Sequence, residues 1–191
     1  MDLLSFIEEL DRTVFLSING LHSPIMDKLM LAASDAWWWI PLFAWLLFVL
    51  YKSYPGKSFI WVVLAIIVSI TLTDRLSVMA FKDVFMRYRP CHNAEIMDQL
   101  HLVKEYCGGQ YGFVSSHAAN YAGLGTLFYG LLRFQYPKSY LIFGTWVFII
   151  GYSRIYLGVH YPLDVIGGWI LGFAIGIVVL KLISLPLSKS T

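Results

Sequence analysis

Charged side chains are spread unevenly along the chain, and the intervals between them set the first expectation. Five stretches carry no Lys, Arg, Asp, Glu or His: residues 36–51, 58–73, 118–132, 139–153 and 165–180. Each is apolar around its whole circumference, which leaves no face for water and argues against a soluble bundle. At 15 or 16 residues each, they fall short of the ~20 that cross a hydrocarbon core. The pattern therefore predicts an all-α integral membrane bundle of five transmembrane helices, with charges just inside the helix ends. Residues 36–191 form its core, and the short spans place polar helix ends near headgroup depth.

Residues 1–35 read differently. Leu3, Ile7, Leu10, Val14 and Ile18 recur at helical spacing, with Asp2, Glu8, Glu9, Asp11 and Arg12 off that stripe. Asn19-Gly20 and Ser23-Pro24 mark turns. Two amphipathic helices lying in the membrane interface are expected; a soluble cap folded over the bundle is the alternative. The segment lacks the basic start, apolar centre and cleavage site of a signal peptide. Trp37, Trp38 and Trp39 suit an aromatic belt at the outer end of the first span.

Composition sharpens the class. Hydrophobic residues make up 58% of the 191 and charged residues 14%, against ~25% charged in soluble domains, so disorder and a water-soluble monomer are both disfavoured. A net charge of +2 without basic runs makes no case for nucleic acid. If five helices alternate, one side holds Lys52, Lys57, Arg133, Lys138, Lys181 and Lys189 without a single acid. All 12 acids then lie on the other side with the remaining 8 of 14 basic residues. The positive-inside rule makes the acid-free side and the C-terminus cytoplasmic. Gly168, Gly172 and Gly176 form a small-xxx-small packing face on the last span. Asp74 and Arg75 sit near the end of the second span, where charges are costly and usually paired. Arg75, seven residues before Lys82 and on its face, either supports the site or joins an interhelical ion pair.

The polar residues of the outer side gather at helix ends in three clusters. The first runs from Lys82 through Arg87 to Arg89-Pro90. The second is Ser115-Ser116-His117. The third is Ser153-Arg154, then His160, then Asp164. Ser115 or Ser116 is a suitable N-cap, and Pro162 suits a first helical turn. Two helix N-termini facing one pocket, with Lys82, Arg89 and Arg154 beside them, favour a multiply charged anion such as phosphate. His117, His160 and Asp164 are chemically able to ligate zinc, but a cation-rich pocket is a poor host for a divalent metal. No metal or cofactor is expected.

These clusters resemble the three signature motifs of the type-2 phosphatidic-acid phosphatase superfamily, the lipid-phosphatase branch related to vanadium haloperoxidases. The pattern is K-x6-R-P, P-S-G-H and S-R-x5-H-x3-D. Lys82, Arg89 and Pro90 match the first; Ser153, Arg154, His160 and Asp164 match the third. The second reads Val114-Ser115-Ser116-His117, so Pro and Gly are replaced, and Ser116 offers a hydroxyl where the family has Gly. The resemblance implies metal-free phosphoryl transfer in two steps. His160 attacks phosphorus and forms a phosphohistidine; Asp164 holds its tautomer. His117 protonates the leaving oxygen and then activates water. Lys82, Arg89, Arg154, Ser115 and Ser116 stabilise the phosphoryl oxygens, with Arg87 a weaker candidate contact. His92 and His101 read as solvated loop residues.

The implied partners are the bilayer and a lipid phosphate reached from the outer face of the inner membrane. Undecaprenyl pyrophosphate, phosphatidylglycerol phosphate, phosphatidic acid and lipid A phosphate all fit; an outward site leans towards isoprenoid pyrophosphate or lipid A. A lipid-to-lipid phosphotransferase on the same fold is the alternative enzyme. A small transporter using Asp74 and Arg75 is the alternative class, against which no broken or repeated span is visible. The only two cysteines, Cys91 and Cys107, fall in the outer loop. An oxidising compartment there permits a disulfide; two free thiols are the other possibility.

Overall fold

The computed structural model describes residues 2–104 and 107–188. It is all-helical: among the described residues the only β pairing is a single bridge, Tyr88 to Tyr111. Helix α1 (Leu3–Gly20) starts where Asp2 accepts from Ser5 N at 2.8 Å. Helix α2 (Pro24–Ser34) starts at the Ser23 cap with Pro24 in its first turn. A tight turn over Ala36–Trp39 leads into α3 (Ile40–Ser53). Gly56, at φ +65°, turns the chain into α4 (Lys57–Leu76). That helix widens into a π-helical stretch, Ser77–Lys82, and ends in the short α5 (Asp83–Phe85). After the outer loop come α6 (Ser116–Leu132), α7 (Ser139–Tyr156) and α8 (Pro162–Ser188). Lys189 lies outside the described residues.

Helices α3 (with the turn before it), α4, α6, α7 and α8 cover the five charge-free stretches. Among the described residues, three segments are long and apolar enough to cross a membrane: Ala36–Ser53, Lys57–Phe85 and Pro162–Ser184. At 29 and 23 residues, the second and third are not the short spans expected. The hydrogen-bond ladder continues past Asp74 and Arg75, whose exposed side chains leave it undisturbed. The π stretch also breaks the face shared by Arg75 and Lys82. A widened turn shifts the angular register of the residues beyond it, so Lys82 turns inward while Arg75 stays exposed.

Helix α6 forms the centre. Leu127, Phe128 and Leu131 on it join Leu46, Leu50, Val62, Trp146 and Val179 from the other helices in the main core. The glycine row of α8 lies directly on α6: a Cβ at Gly172 would sit 2.2 Å from the Ala119 carbonyl oxygen, and one at Gly168 2.6 Å from that of Ser115. The outer flanks invert soluble-protein logic. Trp45, Phe48, Ile67, Ile170, Phe173 and Val178 are exposed, as lipid-facing residues are. Trp37 and Trp38 are 75% and 70% exposed, while Trp39 packs edge-on to Trp146.

Helix α1 turns inward a face that its apolar stripe does not predict. Leu3, Leu4, Phe6, Ile7, Leu10 and Val14 are exposed, and the buried positions are Asp11, Phe15 and Asn19. Asn19 donates to the carbonyls of His101 and Tyr156 at 2.9 and 2.8 Å and accepts from His101 N. His101 is therefore no solvated loop residue. Its ring stacks on His22 at 3.9 Å and bonds Asp27 at 3.0 Å, tying the loop to the α1–α2 corner.

The bundle has two distinct ends. At one, Tyr54 donates to the Leu131 carbonyl and Ser53 to Gln135, closing the basic turns after α3 and α6. At the other, the end of α4, the starts of α6 and α8, the end of α7 and the outer loop converge on the three motifs.

Candidate active site

The loop from 87 to 115 is braced at its base. Its two arms pair through Arg89 N to Gln110 O (3.1 Å) and Gly112 N to Arg87 O (2.8 Å). Cys91 and Cys107 are joined as a disulfide, their Cα atoms 6.3 Å apart, within the range a bridge requires. The bridged segment reaches Arg89, which donates to the Cys107 carbonyl at 3.3 Å.

His160 lies in the short turn between α7 and α8 and is 1% exposed. Its Nδ1 is 3.3 Å from Asp164 Oδ2, one helical turn on, and the Gly112 backbone also hydrogen-bonds the ring. These neighbours assign the proton to Nδ1, leaving the Nε2 lone pair to accept from Arg89 Nη1 at 3.3 Å. Burial, followed by the charges of Arg89, Arg154 and Lys82, holds the imidazole well below its ordinary pKa, so the ring is neutral near pH 7. Gly112 makes the packing possible: a Cβ there would stand 2.9 Å from Asp164 Oδ2 and 3.5 Å from His160 Nδ1.

Asp164 is fully buried and anchored on every side. Its Oδ2 accepts from Tyr161 N at 3.0 Å and its Oδ1 from Arg87 Nη1 at 2.9 Å; its carbonyl accepts from Ser115 N at 2.9 Å. Arg87 is thus no phosphate contact. Its second nitrogen holds Asp11 of α1 at 2.6 Å, and its guanidinium lies 4.3 Å over the Tyr161 ring. Burial pushes the Asp11 carboxyl above its usual range, against the pull of Arg87. Asp11 Oδ1 also accepts from Leu163 N at 2.9 Å. The Leu163 amide in the first turn of α8 is therefore occupied by a carboxylate, while the first turn of α6 reaches the pocket through His117.

That pocket is a cavity of about 550 Å³ between the outer loop and the α2–α3 corner, lined by Arg89, His117, Arg154, Lys104, Asp35 and Trp37 among others. His117 is exposed to it from the first turn of α6. Arg154 donates to Ser34, and its buried Nε has no hydrogen-bond partner among the described residues. Lys82, Ser115 and Ser116, three of the expected phosphate ligands, stand back from this cavity. Ser115 is buried, its hydroxyl spent capping Ala118 N at 3.4 Å. The Ser116 hydroxyl lies between Lys82 Nζ (2.7 Å) and Ser77 (2.6 Å). Ser153 bonds back to Ile150 O. No sequence signal singled out Asp11 or Gly112: one looks like any acid on a polar helix face, the other like any loop glycine.

Residues 58–185 match the family described as the PAP2 superfamily. The chain is 34% identical over 178 residues to the lipid A 4'-phosphatase of Porphyromonas gingivalis, covering 93% of this chain and 75% of that one. The fold resembles the crystal structure of Aquifex aeolicus LpxE, with TM-score 0.64 and 26% identity over 90% of this chain and 95% of the other. It also resembles a transmembrane PAP2-type phosphatidylglycerolphosphate phosphatase from Bacillus subtilis, with TM-score 0.68 and 19% identity over 92% and 85%.

Proposed function

The chain belongs to the PAP2 superfamily, and on that premise we propose that it removes phosphate from a membrane lipid through a phosphohistidine intermediate, with a lipid A-type phosphate as substrate. The observation that carries the mechanism is the orientation of His160. With its Nδ1 on Asp164, its Nε2 lone pair points to Arg89, which lines the cavity. An entering phosphate takes over the Arg89 donor, and Arg154 meets it from the other wall. Nε2 attacks phosphorus as the bond to the lipid oxygen breaks, and His117 gives that oxygen a proton. Asp164 stabilises the positive charge that develops on the ring. Water then attacks the phosphohistidine, His117 takes back a proton, the N–P bond breaks and phosphate leaves. Lys82 acts from behind, through Ser116, as fixed positive charge.

The substrate assignment rests on the named activity of the Porphyromonas gingivalis relative and on the cavity of about 550 Å³, which has room for a sugar headgroup as well as its phosphate. All five bundle helices cross the membrane, with α1 and α2 lying in its outer interface and the site facing outward. The basic turns at the far end and the exposed apolar stripe of α1 support this arrangement.

Purified protein in detergent, offered ³²P-labelled lipid A, undecaprenyl pyrophosphate and phosphatidic acid, should release phosphate fastest from lipid A without a lipid acceptor. Rapid quenching should trap label on wild type and not on His160→Ala. Equal labelling of the variant removes the covalent assignment; dependence on an acceptor makes the protein a phosphotransferase. A cysteine placed near Asp98 should react with impermeant thiol reagents in whole cells and one near Lys138 should not; the reverse pattern inverts the topology.

A further inference from the structure

Asp164 faces a problem that a catalytic carboxylate in a cation-rich site always faces. It must stay ionised and aimed at His160 while fully buried, yet a neighbouring arginine that keeps it ionised also draws its charge away from the ring. Arg87 is that arginine, bound to Asp164 Oδ1 at 2.9 Å. In this chain Arg87 does not belong to Asp164 alone. Its other terminal nitrogen is 2.6 Å from Asp11, which is 2% exposed at its side chain.

We propose that Asp11 and Arg87 are positioning residues for the reaction: α1 delivers a second buried acid that divides Arg87 between two carboxylates, so that Asp164 is held in place and still leaves negative charge behind His160. The proposal rests on the phosphohistidine reading above. Two acids and one guanidinium sum to one net negative charge, sited where a positive imidazole forms. In a low-dielectric interior that difference is felt strongly at short range. The geometry is over-determined, as a positioning device requires. The planar guanidinium offers its two nitrogens in a fixed fork and is sandwiched against the Tyr161 ring at 4.3 Å. Tyr161 is itself held by Phe15 of α1, edge-on at 5.2 Å, and by Asn93, which donates to its hydroxyl at 3.1 Å. Asp11 meets Arg87 and the α8 backbone at once, through Leu163 N at 2.9 Å, one residue before Asp164. Helix α1 touches the catalytic turn through this acid while its apolar stripe faces outward, so it works as a strut behind the site.

The test uses full-length protein in detergent micelles with the labelled lipid substrate. Asp11→Asn keeps the shape and an acceptor for Leu163 N but removes the charge. It should lower kcat and the rate of phosphoenzyme formation about tenfold or more with KM unchanged, because Arg89 and Arg154 still bind the phosphate. Asp11→Glu should recover much of the loss. In an Asp164→Asn background the same Asp11→Asn change should add little. Arg87→Ala should lose activity and regain part of it when free guanidinium is supplied. Wild-type kcat in Asp11→Asn, additive losses in the Asp164→Asn background, or equal losses for Asn and Glu at position 11 would each overturn the proposal. Should Asp11→Asn not fold, failure of guanidinium to rescue folded Arg87→Ala overturns it instead. Absence of phosphoenzyme on wild type would refute the underlying reading, a result distinct from all of these.

Discussion

Gly112→Ala tests the site through a single methyl group. The glycine sits on the second arm of the outer loop, hydrogen-bonded to Arg87 O at 2.8 Å. It is not among the residues with positive φ, so alanine can adopt its backbone conformation. The added Cβ would stand 2.9 Å from Asp164 Oδ2, 3.2 Å from Arg89 Cγ and 3.5 Å from His160 Nδ1. A relaxed carbon–oxygen contact is roughly 3.4 Å, so Asp164 must retreat by about half an ångström. Its hydrogen bond to His160 is already 3.3 Å long. Misplacement by ~1 Å can cost ~100-fold in rate, so half that distance should reduce kcat by about tenfold, or roughly 1.4 kcal/mol in activation free energy. The assay is phosphate release from lipid in micelles, with melting temperature measured on the same samples. Gly109→Ala is the control, since a Cβ there meets nothing within 4 Å. A Gly112→Ala protein with the wild-type kcat would show that the close seat of Asp164 against His160 is not required for turnover.

Gly172→Ala probes the bundle instead. With a Cβ 2.2 Å from the Ala119 carbonyl oxygen, α6 and α8 must separate, and a loss of about 1–3 kcal/mol is expected in chemical unfolding; Gly144→Ala, with nothing within 4 Å, should be close to neutral. Reducing the Cys91–Cys107 bridge, which closes a sequence separation of 16, should cost about 3 kcal/mol in the chain-entropy account. Activity should fall with it, because Cys107 accepts from Arg89; a thiol assay on denatured, unreduced protein should find none. His160 carries a pH signature. Its folded pKa lies well below the ordinary value because of burial, so the unfolded chain binds the extra proton and stability falls as pH drops below about 6.5. The slope is at most about 1.4 kcal/mol per pH unit for one group, and His160→Gln should show a flatter melting temperature between pH 7 and pH 5 than wild type.

The exposed apolar stripe of α1 and its buried Asp11 mark where reading the chain alone stops being enough. Periodicity located a helix over the first twenty residues and its outward apolar stripe, but gave no sign of the polar face by which the helix packs on the bundle. The inward face is chosen by partners, Arg87 and Leu163 N for Asp11 and Tyr161 for Phe15, and those lie more than seventy residues away in the sequence. The membrane class, the five apolar segments, the glycine face of α8 and the clustering of Lys82, Arg89, His117, Arg154, His160 and Asp164 at one end were all legible beforehand. Each follows from local composition or from short fixed spacings, which survive whatever the chain does elsewhere. Which donors meet the cavity was not legible. Ser115 and Ser116 sit in a motif but spend their hydroxyls on a helix cap and on Lys82, and Arg87 spends its fork on two acids. A hydrogen bond formed across the fold removes a group from the pocket without leaving a trace in the residue's own neighbourhood. The π-helical stretch before Lys82 and the close seat at Gly112 are of the same kind. Both are decided by how α4, the outer loop and α8 fit together, so only the packed tertiary structure contains them.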